Sequence, residues 1–322
     1  MQRRQFITTA AALAAASQVR AQAAYPSQPI RWVVPYPAGG GTDALARTLA
    51  ETMRTTLGQQ ILVDNRPGAS TNIGGDLVAH ARPDGYTLMS ADNAILAFNE
   101  HLFTKLPFNP QRDFSYIGAI ARFPLALVVH PDFQARTLAD FIAYAKANPG
   151  KLNYASPGNG SPHHLAMELF KNRTRTFITH IPYRGAAPAM QDVMGGQVPC
   201  MFLDLAAGLP IIQSGKVRAL AIGSAKRAPS VPNIPTLAES GVANAEVYAF
   251  QGLLGPAALP EPIVARLNSE LNKALAAPAV QKRLTDFGME PLPGTPAQFL
   301  AMAREEARRW GTVIQAAGVK LD

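Results

Sequence analysis

The chain has 322 residues, of which 48% are apolar, 7% aromatic and 16% charged. That is enough apolar material for a core and too little charge for a disordered or coiled-coil chain, and the length makes two domains the natural expectation. The single cysteine, Cys200, excludes an internal disulfide and a cysteine-built zinc site, and reads as a small buried hydrophobe. The net charge of +8 does not point to nucleic acid, because Arg3, Arg4 and Arg20 fall in the first 23 residues, which hold no acid, and removing them leaves +5.

Those first residues read as an export leader. Arg3-Arg4 precede an apolar stretch from Phe6 to Ala16, and Ala21-Gln22-Ala23 forms an A-x-A cleavage pattern, so cleavage is expected after Ala23. The apolar stretch is shorter than the ~20 residues that span a bilayer as a helix. Arg3-Arg4-Gln5-Phe6 also resembles a twin-arginine signal, so either the Sec or the twin-arginine route is open. A soluble protein exported in this way belongs in the periplasm.

Further along, short β-branched runs alternate with helical patterns. Strands are expected at Ile30 to Pro35, Ile61 to Val63, Thr87 to Ser90, Ala126 to His130, Leu152 to Ala155, Ile178 to Ile181, Pro199 to Leu203 and Arg218 to Gly223. Helices are expected at Thr42 to Leu57, Ile73 to Ala81, Leu138 to Ala147, Pro162 to Asn172, Ala187 to Met194, Ile263 to Ala276 and Ala297 to Ala316. The alternation gives an α/β fold with helices on both faces of a largely parallel sheet. Phe123-Pro124 and the stretch Pro229, Pro232, Pro235 interrupt it and are the candidate boundaries. If both are crossings, the middle third forms one lobe and the ends another, joined by a two-strand hinge that can close on a ligand.

Three glycine-rich loops follow strands, where α/β sheets bind ligands. In Pro35-Tyr36-Pro37-Ala38-Gly39-Gly40-Gly41-Thr42-Asp43 the glycines allow close backbone approach and Thr42 is a candidate N-cap. The loop fits neither a P-loop nor the dinucleotide pattern G-x-G-x-x-G. In Asn65-Arg66-Pro67-Gly68-Ala69-Ser70-Thr71, Arg66 either serves a ligand carboxylate or pairs with Asp64 or Asp76. In the third, Ser156 to His164, Ser161 is a candidate N-cap with Pro162 at the first helical position, and Gly158, Gly160 and the Ser161 hydroxyl would offer donors to an anion. Two anion-accepting helix starts on different lobes suit a dicarboxylate.

Catalytic patterns fit poorly. Gly158-Asn159-Gly160-Ser161-Pro162 places its serine one position late for a nucleophile elbow, with proline behind it. His163 and His164 are adjacent, whereas two zinc ligands on one helical face need i, i+4 spacing. His80, His101, His130 and His180 are scattered, and Lys171, Arg173 and Arg175 read as the polar end of a helix. No catalytic residue and no metal ligand is assigned.

Several ordered motifs carry a resemblance. Tyr25 to Asp43, Val63 to Ser70, Pro83-Asp-Gly-Tyr-Thr-Leu88, Tyr154 to Ser161, Pro182-Tyr-Arg-Gly185 and Gly215 to Ala221 are similar to the periplasmic solute receptors of tripartite tricarboxylate transporters, the Bug family, over almost the whole mature chain. The resemblance implies a two-lobed type II periplasmic binding fold, with residues 24–122 and 246–322 as lobe 1 and 123–245 as lobe 2. It implies a receptor, not an enzyme, that closes on a small organic acid and delivers it to a membrane permease, as a monomer, with no cofactor and no nucleic acid. Carried onto this chain, one wall of the site is Tyr36, Ala38, Gly39, Thr42 and Asp43 with Ser90 and Asn93. The other is Ser156, Gly158, Gly160, Ser161 and His164 with Tyr183, Gly185 and Asp204 nearby. Asp43 and Asp204 would repel a carboxylate at contact, so they orient water, hold amides or recognise an amino group.

The chain departs from the family pattern at Pro210-Ile211, where members often carry Pro-His, at Phe250, where a tryptophan is common, and at Pro256-Ala-Ala-Leu-Pro260 in place of Pro-Ala-Gly-Thr-Pro. Ile211 and Phe250 facing the cleft would favour a longer or aromatic acid. The alternatives are a sensor that presents its ligand to a membrane kinase, and a periplasmic hydrolase whose turnover depends on Ser161.

Overall fold

The computed structural model describes residues 25–39, 41–286 and 288–321. The expected leader and its expected cleavage position after Ala23 lie outside the described residues. No helix among the described residues is long and apolar enough to cross a membrane.

β1 (Ile30–Val34) pairs in parallel with β2 (Ile61–Asn65) on one side and β3 (Thr87–Asp92) on the other. Parallel neighbours need long crossovers, which α1 (Gly41–Leu57) and α2 (Asn72–Ala79) supply. Trp32, Val33 and Val34 are fully buried, as expected of a strand covered on both faces. After β3, a wide turn at Ala94–Phe98 leads into the single-turn α3 (Asn99–Leu102).

β4 (Phe114–Val129) is shared by two sheets. As far as Pro124 it pairs antiparallel with β9 (Tyr248–Pro256), which closes the first sheet against β3, and it also pairs with the short β10 (Glu290–Pro291). From Leu125 it pairs with β7 (Cys200–Asp204) and β8 (Arg218–Ile222). Beyond β7 lie β5 (Asn153–Ser156) and β6 (Thr179–Pro182), all three parallel. Helices α4 (Leu138–Ala147), α5 (Pro162–Thr174), α6 (Ala186–Met194) and α7 (Leu205–Gln213) cover the second sheet, and α8 (Glu261–Ala276), α9 (Pro278–Asp286) and α10 (Pro296–Ala317) follow β9.

Pro124 is tolerated inside a long strand because it stands at the changeover, where the ladder partner switches and no N–H is called for. The next residue resumes the pairing: Leu125 N–H donates to Val247 O at 3.2 Å, and Gly223 N–H to Leu125 O at 2.7 Å. The chain passes back to the first sheet at Val247, one residue before β9. The proline stretch 229–235 stays with the second sheet instead, where Ile222 bridges Thr236 and Ala228 and Val231 are buried in its core.

Every expected helix is present, with bounds within two residues of those expected, and the expected strands are found. The pattern reading did not anticipate β9, the first half of β4, α7 or α9. One apolar cluster runs through both lobes, from Trp32, Phe98 and Trp310 to Tyr154, Phe170 and Phe202. Phe98 meets Trp310 edge-on at 5.1 Å between centroids.

Candidate functional site

The site begins where the strands end. The loop after β1 is braced by Asp43, which sits in the first turn of α1. Its carboxylate accepts the Gly39 amide at 2.9 Å, Asn65 Nδ2 at 3.0 Å and Arg47 Nε at 3.0 Å. Burial opposes the charge, but these bonds outweigh it and hold the Asp43 carboxyl below the usual carboxylate range. Asp43 therefore holds amides, while Ala38 and Gly39 stay exposed on the loop. The helix starts at Gly41, so Thr42 lies inside the first turn and is not the expected N-cap; its Oγ1 accepts Gln251 Nε2 at 2.6 Å.

Tyr36 donates a hydrogen bond to Asp92, at the end of β3. Burial raises the pKa of both groups, against the pull that the Tyr36 hydroxyl and the Ala94 and Ile95 amides exert on Asp92. Ser90 and Asn93, expected on the wall, lie beneath it. Ser90 is buried and accepts Trp32 Nε1 at 2.9 Å. Asn93 is fully buried and clamps β9, donating to Tyr248 O at 3.1 Å and accepting from Phe250 N–H at 2.8 Å.

Arg66 pairs with Asp64 at 3.0 Å, beside Arg31, so it is a structural charge in this loop. The loop itself is strained: Ala69, Ser70 and Thr71 are consecutive non-glycine residues at φ of 47°, 50° and 75°. Asn99 anchors it, donating to Ser70 O at 2.8 Å and to Asn72 Oδ1 at 2.7 Å.

On the second lobe, Ser161 caps α5 as expected, accepting the His164 amide at 3.2 Å, with Pro162 in the first turn. The donors expected to face an anion are instead used inside the loop. Gly160 N–H donates to His164 Nδ1 at 3.0 Å, Ser161 Oγ to Gly158 O at 2.8 Å, and Gly158 N–H to Ser156 Oγ at 3.1 Å. Ser156 is fully buried, 2.6 Å from His180 Nε2. His180 stacks against both His164 and Tyr154, at 4.0 and 4.8 Å between centroids. Burial, reinforced for His164 by Lys171 and for His180 by His164, pushes both imidazoles down to about 4. Both rings are therefore neutral at pH 7, which is what allows His164 Nδ1 to accept.

Tyr183 and Gly185 tie the next loop to this one: Tyr183 N–H donates to Ser156 O at 2.9 Å and Gly185 N–H to Pro157 O at 3.0 Å. The Tyr183 hydroxyl turns away, donating to Asp192 at 2.6 Å. Gly185, at φ 114°, opens α6 with no side-chain cap and has open space in front of it. Asp204 caps α7, accepting Ala207 N–H at 2.8 Å, and lies 3.2 Å from His163 Nε2. Burial would raise its carboxyl, but the His163 contact and the Ala207 amide hold it low.

The lobes meet at Gly160. A side chain there would stand 2.8 Å from Leu102 of α3 and 2.8 Å from Leu321, so the glycine loop of lobe 2 seats directly on lobe 1. Phe250 does not face the cleft. Alternation along β9 turns Phe250 into the first lobe's core with Tyr116, Leu254 and Phe299, and Gln251 toward the opposite face. Ile211 packs against the core of the second lobe. Two surface cavities, of about 410 Å³ beside His80 and Arg112 and about 520 Å³ beside His101 and Lys320, are lined by residues other than those of these loops. Sequence reasoning gave no site role to Asp92, His163, His180 or Gln251, because their partners Tyr36, Asp204, Ser156 and Thr42 lie far away in sequence and leave no local motif.

A family model described as the tripartite tricarboxylate transporter family receptor matches residues 45–319. BugT of Bordetella pertussis is 38% identical over 298 residues, 92% of this chain and 91% of its own. The structure of R. palustris Rpa4515 with adipate superposes with a TM-score of 0.86 at 35% identity, covering 92% of this chain and 99% of that one. MatC from Rhodopseudomonas palustris with bound malate gives 0.82 at 34% identity, covering 90% and 100%.

Proposed function

The chain belongs to the tripartite tricarboxylate transporter receptor family, and from that membership we propose that it is a periplasmic receptor that captures a small organic acid between its lobes and delivers it to a membrane permease. In this reading residues 1–23 are a cleaved leader, residues 24–122 with 246–322 form lobe 1, and residues 123–245 form lobe 2.

The observation that carries the reading is the start of α6 on lobe 2. α5 and α6 are locked together through Gly185 N–H and the Pro157 carbonyl, and α6 opens uncapped with free space before it. Backbone amides at helix starts carry partial positive charge and accept a carboxylate. The interlocked hydroxyls and neutral imidazoles behind them fix the shape of the loop, so Ser156, Gly158, Gly160, Ser161 and His164 support the site and Tyr183 and Gly185 stand at its mouth. Asp43 gives the glycine loop of lobe 1 the same rigidity. The relatives with adipate and malate bound make an aliphatic acid the first class to test.

Hydrolysis is disfavoured because the Ser161 hydroxyl, on which that alternative depends, is committed within its own loop, donating to Gly158 O at 2.8 Å and accepting the His164 amide at 3.2 Å, while the Ser156 and His180 pair is internal. The test is calorimetric titration with acids and with their methyl esters. One-to-one binding of an acid that is recovered unchanged, with the ester at least about tenfold weaker, supports the reading. Equal binding of acid and ester, or turnover of the ester, overturns it.

A further inference from the structure

Gln251 stands in β9 with its backbone paired to Asp92 of β3 on one side and Ala121 of β4 on the other. Its side chain is 4% exposed. The amide nitrogen is committed to Thr42 Oγ1 at 2.6 Å, whereas Oε1 is buried and has no hydrogen-bond partner among the described residues. Buried side-chain acceptors are normally paired, and one left open beside Thr42, at the end of the lobe 1 glycine loop, calls for a donor from outside the chain.

The surroundings narrow what that donor is. Asp92 stands beside Gln251 and holds the Tyr36 hydroxyl, while the Asp43 carboxylate is already filled by Gly39, Asn65 and Arg47. Arg47 is therefore spent on Asp43, and this end of the site presents acceptors. A second carboxylate placed here would meet like charge, whereas a hydroxyl or an ammonium group would complete the Gln251 amide. We propose that Gln251 selects the ligand's class: an organic acid whose carboxylate lies at lobe 2 and whose other end bears a hydroxyl or ammonium group directed at the Gln251 amide oxygen. The inference rests on the receptor reading above and adds the ligand's second functional group to it.

The experiment titrates the full mature protein with acids matched in carbon number that end in a hydroxyl, an ammonium, a methyl or a second carboxylate. Wild type is expected to bind the hydroxyl- or ammonium-ended acid about tenfold more tightly than the methyl-ended one, the scale of a satisfied buried hydrogen bond. Gln251→Leu is expected to bring the two to equal affinity. Gln251→Glu keeps an acceptor and is expected to retain the preference and shift it toward the ammonium. If the Leu variant fails to fold, the Glu variant decides: equal affinity for the donor-ended and methyl-ended acids in it overturns the inference. So does a wild-type preference for the dicarboxylate, which would mean that the amide presents its nitrogen, or an unchanged preference in Gln251→Leu. Failure of every acid to bind wild type overturns the receptor reading itself, a result distinct from these.

Discussion

His164 Nδ1 accepts the amide proton of Gly160 at 3.0 Å, across the first turn of α5. The bond exists only while the imidazole is neutral, and both His164 and the ring stacked on it, His180, titrate in the folded protein near 4, against an ordinary value of 6.5. Between those values the unfolded chain binds more protons than the folded one, so stability rises with pH through that window. The histidine contribution is complete above about pH 6.5 and lost as pH falls toward 4. Asp43 and Asp204, held low, add their loss only below the ordinary carboxylate range. Chemical unfolding at pH 7.5 and pH 5 should show the protein losing on the order of a few kcal/mol. His164→Gln, which preserves an acceptor, should flatten that dependence, and a wild-type protein equally stable at both pH values would contradict the assignment.

Gly160→Ala combines two costs. The residue sits at φ 72°, where a side chain is worth about 1–2 kcal/mol of strain, and its new methyl would meet Leu102 and Leu321 at 2.8 Å. Destabilisation of about 2–3 kcal/mol is expected. Leu321→Ala in the same chain should return the part of the steric cost that Leu321 imposes and leave the Leu102 and backbone shares, a coupling of at least about 0.5 kcal/mol in a double-mutant cycle. Strict additivity would mean that the tail does not touch the loop.

Asp43→Ala leaves the Gly39 amide, Asn65 and Arg47 without their common partner. We expect a loss of about 2–3 kcal/mol in urea unfolding, together with weaker acid binding, because the glycine loop is no longer held. Asp43→Asn keeps the acceptor for Asn65 or Gly39 and should lose less. A variant as stable as wild type would show that the loop keeps its shape unaided.

Phe250→Ala should cost about 3–5 kcal/mol, the range for an aromatic core truncation, without changing which acids bind, since the ring is buried in the same apolar cluster as Tyr116 and Phe299. A change in ligand preference at unchanged stability would place Phe250 at the cleft after all.

Much of the architecture was legible because burial imposes short apolar runs on β1, β3, β7 and β8 and amphipathic spacing on the helices. What was missed has physical causes. β4 carries Gly118 and Pro124, two register shifts against β9 and one against β8, so its sixteen residues read as fragments. α7 holds Gly208 and Pro210, which weaken a helical signal, and survives because Asp204 caps it. In the site, glycine loops and the Ser161 cap were visible as local chemistry. The roles of Asp43, Ser90, Asn93 and Gln251 depend on partners far away in sequence, such as Trp32 for Ser90 and Thr42 for Gln251, and no local pattern records them. Donors that looked free in the Gly158 to Ser161 loop are consumed by His164, Ser156 and one another.

The central claim is tested most directly by thermal unfolding of the mature protein, refolded to strip any carried ligand, against aliphatic, hydroxy, amino, tricarboxylic and aromatic acids. A ligand at about 100 times its dissociation constant adds about 2.7 kcal/mol, enough to raise the midpoint by a few degrees. The account predicts such a shift with one class of small aliphatic acid and recovery of that acid unchanged. A protein that refolds cooperatively and shifts with no acid, or that consumes the acid it binds, would contradict it.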